Sequence, residues 1–329
     1  MKLATLQDGS RDGRLAVVSR DLGRFLLADG VAPTMQFAMD NWDRVISSLR
    51  ELARTLDGGE TDRSSPFEPL RAMAPLPRAF QFVDASAFVN HGDIMERAFN
   101  VNVQRPEGVC CMVPRQGDDF RGPLGDYVFL AEGENADYEG EFAVIVGDIP
   151  MGLSAGQCVE QIRLITILDD VSMRAHVATE MRMGFGFVRA KPAPVFGPVA
   201  VTPDELGSSW VDGRVALDLE IWRNGRLVGC PNGLEMDWSF GELLEQLAYN
   251  RNLGAGMVLG SGTVSNRDYR KVGSACIAEQ RALEVLEFGS PRSSFLQHGD
   301  VVRMQALASD KSCPFGAIET RFLALSRKA

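Results

Sequence analysis

Histidine is scarce in this chain. Only three occur among 329 residues, which excludes a metal site built mainly from imidazole. The six cysteines, Cys110, Cys111, Cys158, Cys230, Cys276 and Cys313, form no C-x-x-C pair. Neither a zinc ribbon nor a disulfide framework is indicated, and reduced thiols fit a cytosolic setting. Cys276 or Cys313 as a nucleophile stands against the commoner reading of each as a buried free thiol. Positive charge is also in deficit: 34 Lys and Arg against 44 Asp and Glu give a formal net charge of -10, with no long basic run. That balance argues against a nucleic-acid surface and for solubility or a bound cation. No stretch approaches the roughly 18 consecutive apolar residues that span a bilayer. The segment Met1 to Asp8 lacks the apolar core of a signal peptide, so the expected location is the cytoplasm, with no membrane partner. There is no internal repeat and no low-complexity tract.

What the chain does have is the composition of a globular enzyme, with 45% hydrophobic and 24% charged residues, enough for one small and one large domain. Leu15 to Val18 and Phe25 to Leu27 are apolar runs between Gly and Asp turns, as in small antiparallel strands. Phe37, Trp42, Val45, Ile46, Leu49, Leu52 and Leu56 recur at three- and four-residue spacing and predict a helix over 36 to 56 with one apolar stripe. Residues 57 to 78, with Gly58-Gly59, Ser64-Ser65-Pro66 and Pro75-Leu76-Pro77, read as a linker. A boundary near residue 70 separates a small unit, 1–70, from a larger one, 71–329. Ser154-x-x-Gln157 and Ser239-x-x-Glu242 fit the capping box that starts a helix. Val215, Leu217, Leu219 and Ile221 alternate with polar neighbours and meet Asn224-Gly225, a hairpin-turn signal.

The chemistry begins at Asp137-Tyr138-Glu139-Gly140-Glu141-Phe142-Ala143-Val144-Ile145-Val146. Period-two geometry puts Glu139 and Glu141 on one face with Ala143 and Ile145, and Tyr138, Phe142, Val144 and Val146 on the other. Both faces are largely apolar, so the strand is expected to be buried. Two carboxylates on one face of a buried strand need a cation, an Arg or a Lys between them. The alternative is a wet strand start with both side chains solvated. Leu164 to Leu168 is a second strand-like run, ending in Asp169-Asp170. Together these acids form an all-oxygen set suited to Mg2+, Ca2+ or Mn2+ rather than zinc.

Asp169-Asp170-Val171-Ser172-Met173-Arg174 resembles the N-D-x-S-x-R-D signature of the fumarylacetoacetate hydrolase family, and it follows the E-x-E strand at an appropriate distance. Phe185 to Lys191 is similar to the family's loop carrying an active-site lysine, and Gly260 to Ser265 to its S-G-T-I-S segment. Asp84 and His91 are separated like the first metal-binding aspartate and the catalytic histidine of fumarylacetoacetases. The resemblance covers roughly residues 80 to 320. It implies metal ligands Asp84, Glu139, Glu141 and Asp170, a general base His91 oriented by Glu279, and Arg174 and Lys191 facing developing negative charge. Thr263 and its neighbour Gly262 would contact a substrate carboxylate, with Arg174 and Lys191 as further substrate contacts. Two positions depart from the pattern: Val177 stands where the family has glutamine, and Ala175 where it has aspartate. His176 and His298 match no family position.

The resemblance further implies a mainly β (α+β) fold, a mixed β-sandwich roll with a small barrel-like N-terminal domain, assembled as a homodimer. The implied activity is metal-dependent hydrolysis of a carbon-carbon bond in a 1,3-diketo acid, fumarylacetoacetate or an acylpyruvate, in aromatic or amino-acid (tyrosine) catabolism. Within the same superfamily a decarboxylase, hydratase or isomerase of related oxo acids is the alternative. From another class, a non-enzymatic binding protein held together by Ca2+ is the competitor.

Overall fold

In the computed structural model, residues 1–59, 61–100 and 106–325 are described; Glu60, inside the expected linker, lies outside them. Apolar side chains on both faces of the strand Gly140–Val146 require cover on both sides. Phe142, Val144 and Val146 share one core cluster with Leu219, Ile221, Val302 and Met304. Ala143 and Ile145 pack in a second cluster with Leu164, Val258, Trp42, Val45 and Leu49. The result is a layered body: helix Trp42–Asp57, a large sheet, and a smaller sheet. Burial of the whole strand, Glu139 and Glu141 included, removes the wet-edge reading.

The large sheet has 11 strands. Its path runs Ser65–Pro66, Arg24–Leu27, Arg14–Val18, Lys2–Leu6, Ala200–Val201, Ile162–Asp169, Gly140–Val146, Val258–Gly260, Phe82–Ala85 and Met112–Arg115, with Val195–Phe196 added against Ile162–Asp169. Both end strands carry a proline, Pro66 and Pro114, whose missing N–H suits a sheet edge. The smaller sheet runs Arg226–Gly229, Asp218–Arg223, Val301–Leu307, Ala317–Ala324 and Leu124–Phe129. Asn224 and Gly225 take φ of 51° and 76° and join Asp218–Arg223 to Arg226–Gly229, the paired left-handed turn that an Asn-Gly hairpin requires.

The strand-rich α+β class and both capping boxes are as expected. Two local expectations are corrected. The first strands do not close into a barrel: Lys2–Leu6 pairs on one side with Arg14–Val18 and on the other with Ala200–Val201, making an open arm of the large sheet. The stripe over 36 to 56 spans two helices, Met35–Asp40 and Trp42–Asp57, separated at Asn41 with φ -127°. Asn41 donates its side-chain N–H to Phe37 O, a local bond that competes with helix continuation. Because the break is one residue long, the apolar stripe passes across it.

Candidate active site

The site is assembled where neighbouring strands of the large sheet place acids side by side. Val258–Gly260 lies between Phe82–Ala85 and Gly140–Val146, with Gly260 opposite Asp84 on one side and Ala143 on the other. Glu141 pairs with Leu168 of Ile162–Asp169, which delivers Asp170 just past its end. Asp84, Glu141 and Asp170 are all buried, and each offers one oxygen within 4.8 Å of the others. Gly260 forms the floor between them: a Cβ there would sit 2.9 Å from Glu141 Oε2 and 3.0 Å from Asp84 Oδ1. Only glycine leaves that space to the two carboxylates.

These three acids fit a divalent cation. Asp84 Oδ1 and Glu141 Oε1 are buried without a hydrogen-bond partner among the described residues, which is costly for carboxylates unless a cation is held. Burial, then the charge of Asp170, pushes the Asp84 carboxyl up to about 7. Burial, then Asp84 and Asp170, raises Glu141 well above the carboxylate range. An all-carboxylate donor set is the chemistry of a hard cation.

Glu139, on the same strand face, has a different fate. Its Oε2 accepts from Lys191 Nζ at 2.6 Å, its Oε1 from Ser172 Oγ at 3.1 Å, and Arg174 Nη2 lies 2.5 Å from Oε1. Against the upward push of burial, Lys191 and then Arg174 hold this carboxyl far below its ordinary range. The structure brings Asp84, Glu141 and Asp170 into one cluster and pairs Glu139 with Lys191 and Arg174. Lys191 also donates to Asp170 Oδ2 at 2.7 Å. Burial alone would lower its pKa, but Asp170 and Glu139 raise it, so the ammonium stays charged.

His91 stands in helix Val89–Phe99, whose first N–H is taken by Asp237 Oδ2 at 2.8 Å. Its Nδ1 lies 2.7 Å from Oε2 of Glu279, a fully buried residue in the first turn of helix Ile277–Phe288. His91 is also close enough to Glu139 to favour that residue's charged form. Thr263 is buried in the segment after Val258–Gly260. Gly262 donates its N–H to Glu141 Oε2 at 3.1 Å; its φ of 79° and the Ala85 carbonyl, 2.0 Å from any added Cβ, demand glycine.

Sequence reasoning missed Arg115 and Asp137, and it counted Asp169 among the acids of the oxygen set, a cluster that the structure builds without it. Arg115 is buried, binds both carboxylate oxygens of Asp170, donates to Pro192 O at 3.2 Å, and lies over the Phe82 ring at 5.3 Å. Asp169 turns away from the cluster and accepts the Glu139 N–H at 2.9 Å, with burial raising its pKa. Asp137 shares the parity of Glu139 and Glu141, a signal that could have found it. Arg115 carried no comparable signal. Cys276 is fully buried, with its thiol pKa pushed well up by burial, and Cys313 is raised by burial too, which argues against either as a ready nucleophile.

The fold has relatives of known structure. Over 99% of this chain and 100% of theirs, it matches an HpcE candidate from Mycobacterium smegmatis (TM-score 0.70, 20% identity) and maleylpyruvate hydrolase from Sphingobium sp. SYK-6 in complex with manganese(II) ion and pyruvate (TM-score 0.67, 16% identity). Over 81% of this chain and 83% of its own, 2-hydroxyhepta-2,4-diene-1,7-dioate isomerase from Mycobacterium marinum matches with TM-score 0.54 and 18% identity. No curated protein matches by sequence. Residues 1–78 match the fumarylacetoacetase N-terminal domain 2 and residues 68–323 the fumarylacetoacetate hydrolase C-terminal model. With most of its length so matched, the chain belongs to the fumarylacetoacetate hydrolase family.

Proposed function

We propose that this protein is a metal-dependent hydrolase that cleaves the carbon-carbon bond of a 1,3-diketo acid of the acylpyruvate type, and that it works as a homodimer in the cytoplasm. The observation that carries the reading is the pairing of His91 Nδ1 with buried Glu279 at 2.7 Å, beside a cluster of three buried carboxylates. Hydrolysis needs a base for water, whereas decarboxylation of an oxo acid does not. An ionised Glu279 can only accept, so it places the imidazole proton on Nδ1 and leaves Nε2 free to take a proton. Asp84, Glu141 and Asp170 would hold the cation, Mg2+, Ca2+ or Mn2+, which when bound would supply Lewis acidity toward the oxo acid.

His91 takes a proton from water as the water oxygen adds to the distal carbonyl carbon. Collapse of the adduct breaks the carbon-carbon bond, and the electron pair leaves with the methylene carbon, which is then protonated. Lys191 has three N–H donors; Glu139 and Asp170 Oδ2 take two, and the third, on the Asp170 carbonyl at a long 3.5 Å, is the one that turns to oxygen that gains charge. A donor in that role contributes about 3 to 4 kcal/mol. Arg174 holds Glu139 charged so that Lys191 stays in place. Thr263 and Gly262 bound the space next to Glu141 and contact the substrate carboxylate.

The test follows the ultraviolet absorbance of fumarylacetoacetate and simple acylpyruvates with Mg2+, Ca2+ or Mn2+, with chelator, and with His91→Ala. Cleavage into two acids that needs the cation and His91 is the expected result. Loss of CO2, or isomerisation with one intact product, would replace hydrolysis by the decarboxylase or isomerase reading, and an isomerase is among the structural neighbours. A cation that raises melting temperature without turnover of any oxo acid would return the protein to the Ca2+-stabilised binding class.

A further inference from the structure

Glu279 occupies an unusual place for a residue that orients a catalytic base. It is the third residue of helix Ile277–Phe288, after the N-cap Cys276. A glutamate at this position ordinarily folds back onto the N-cap backbone N–H and helps close the helix end. Its carboxylate would then be unavailable to His91. In this protein it reaches outward, with Oε2 on His91 Nδ1 at 2.7 Å.

The first turn is held from another segment of the chain. Asp137, fully buried, sends Oδ1 to the Ile277 N–H at 2.8 Å and Oδ2 to the Ala278 N–H at 2.9 Å. The Glu279 N–H goes to Cys276 Sγ at 3.2 Å. Two orphan donors of the first turn are thus satisfied by Asp137 and a third by the N-cap thiol, and a buried carboxylate sits at the helix's positive end. Asp137 Oδ2 also accepts from Arg174 Nε at 2.9 Å, with Nη2 2.8 Å away as an ion-pair contact. The backbone holds the same three segments together: Asp137 pairs with Ser172, and Gly140 N–H bonds Ala275 O at 2.9 Å.

We infer that Asp137 is a positioning residue that caps the first turn of the Ile277–Phe288 helix, holds that turn where the Glu279 carboxylate reaches His91, and thereby fixes the imidazole tautomer that the base requires. The inference rests on the proposed roles of His91 and Glu279. Asp137 touches neither reactant nor cation ligand; it acts through the helix on one side and through Arg174 on the other. Its ion pair with Arg174 is a separable duty, because removal of the guanidinium leaves the two helix N–H bonds in place.

Nitrogen-15 NMR of histidine-labelled protein with Mg2+, at a pH where the ring is neutral, reads the tautomer directly, and three histidines give three signal sets. His91→Gln identifies the relevant one. The wild type is expected to show His91 as a single Nδ1–H tautomer. The isosteric Asp137→Asn offers only one acceptor to three donor groups, so it is expected to move those shifts toward the tautomer average. It should also lower kcat about tenfold or more with KM little changed. Arg174→Met should leave the tautomer locked.

A folded Asp137→Asn protein whose His91 stays in the single tautomer overturns the inference. So does a Glu279→Gln protein with unchanged His91 shifts, since Asp137 acts through that carboxylate. Independently of any variant, the wild-type Ile277 and Ala278 amides are expected to exchange as slowly as helix-interior amides, and exchange at the rate of a frayed end overturns the capping role. The NMR readout does not depend on turnover. A wild type with a locked tautomer that cleaves no diketo acid defeats the hydrolase reading and leaves the positioning role standing.

Discussion

Glu139 and Glu141 are two residues apart, project from the same strand face, and are both buried, yet they live in opposite electrostatic surroundings. Around Glu139 stand Lys191 and Arg174, and its carboxyl is held ionised against burial. Around Glu141 stand Asp84 and Asp170, and burial with these like charges drives its pKa far up. One side of the site is a completed ion-pair network, and the other is a cluster that must take a proton or a cation. Parity on a strand therefore tells which acids share a space, and the charges delivered by other elements decide what each acid does there.

The sharpest way to break this comparison is to neutralise each glutamate in turn. Glu141→Gln removes one of the cluster's like charges, so metal-free protein should melt no lower than wild type, while cation-induced stabilisation disappears and turnover falls about a thousandfold or more. Glu139→Gln should do the reverse to the fold. It leaves Lys191 and Arg174 buried with a lost partner, a loss of about 3 to 5 kcal/mol when a buried pair is broken. Cation binding through Asp84, Glu141 and Asp170 should persist. Differential scanning calorimetry with and without Mn2+ checks both, and a Glu139→Gln protein that no longer binds the cation would return Glu139 to the ligand set that the family resemblance implies.

His91 and Glu279 are not members of the three-acid cluster and should affect rate rather than cation binding. His91→Ala is expected to lower turnover by about 10² to 10⁴, and Glu279→Gln by less, with cation-induced melting shifts like wild type in both. A weakened cation in either variant, measured by calorimetric titration, would mean that the dyad helps build the metal side of the site.

Much of this division was written in the sequence, and its missing parts have physical causes. The E-x-E strand and Asp170 were legible because period two and burial constrain them locally. The capping boxes and the Asn-Gly turn were legible because their bonds span only a few residues. Arg115 was not, since it comes from a four-residue edge strand and meets Asp170 across 55 positions. Nor was the use of Lys191, which no local pattern assigns to Glu139 rather than to solvent. The resemblance supplied the dyad, and tertiary structure set the distance between its members. The open N-terminal arm was misread as a barrel because closure depends on which strand Lys2–Leu6 finds as its second partner, and that partner, Ala200–Val201, lies almost 200 residues away.

The two sides of the site also carry opposite pH signatures. Asp84, raised to about 7 by burial and then Asp170, contributes stability that is full below the ordinary carboxylate range and lost as pH rises through about 7. Glu141 shifts in the same direction. Glu139, depressed, contributes stability that is present above its ordinary range and lost as pH falls below it. Chelator-treated protein should therefore melt highest at mildly acidic pH and lose stability toward about pH 8. Cation affinity should rise over that same interval, because both Asp84 and Glu141 must be ionised to bind. Melting curves in matched buffers with and without Mn2+ check this, and a cation effect that is flat with pH would show that the cluster's acids are already ionised without it.

The smallest expected effect comes from the floor of the cluster. Gly260→Ala would place a methyl 2.9 Å from Glu141 Oε2 and 3.0 Å from Asp84 Oδ1, closer than such atoms tolerate. Both contacts are with the far ends of side chains, so the carboxylates can swing aside and the strand pairing of Val258–Gly260 can survive. The burden then falls on geometry: two ligand oxygens are spread while the third, on Asp170, stays under Arg115 and Lys191. The expected result is a fold within about 1 kcal/mol of wild type and cation affinity about tenfold weaker. Glu139's network does not include Gly260, so its ion pairs should be unaffected. Calorimetric titration of Mn2+ into Gly260→Ala decides the matter: unchanged affinity would mean that the cation lies away from the Asp84–Glu141 gap, toward Asp170 and the cationic side.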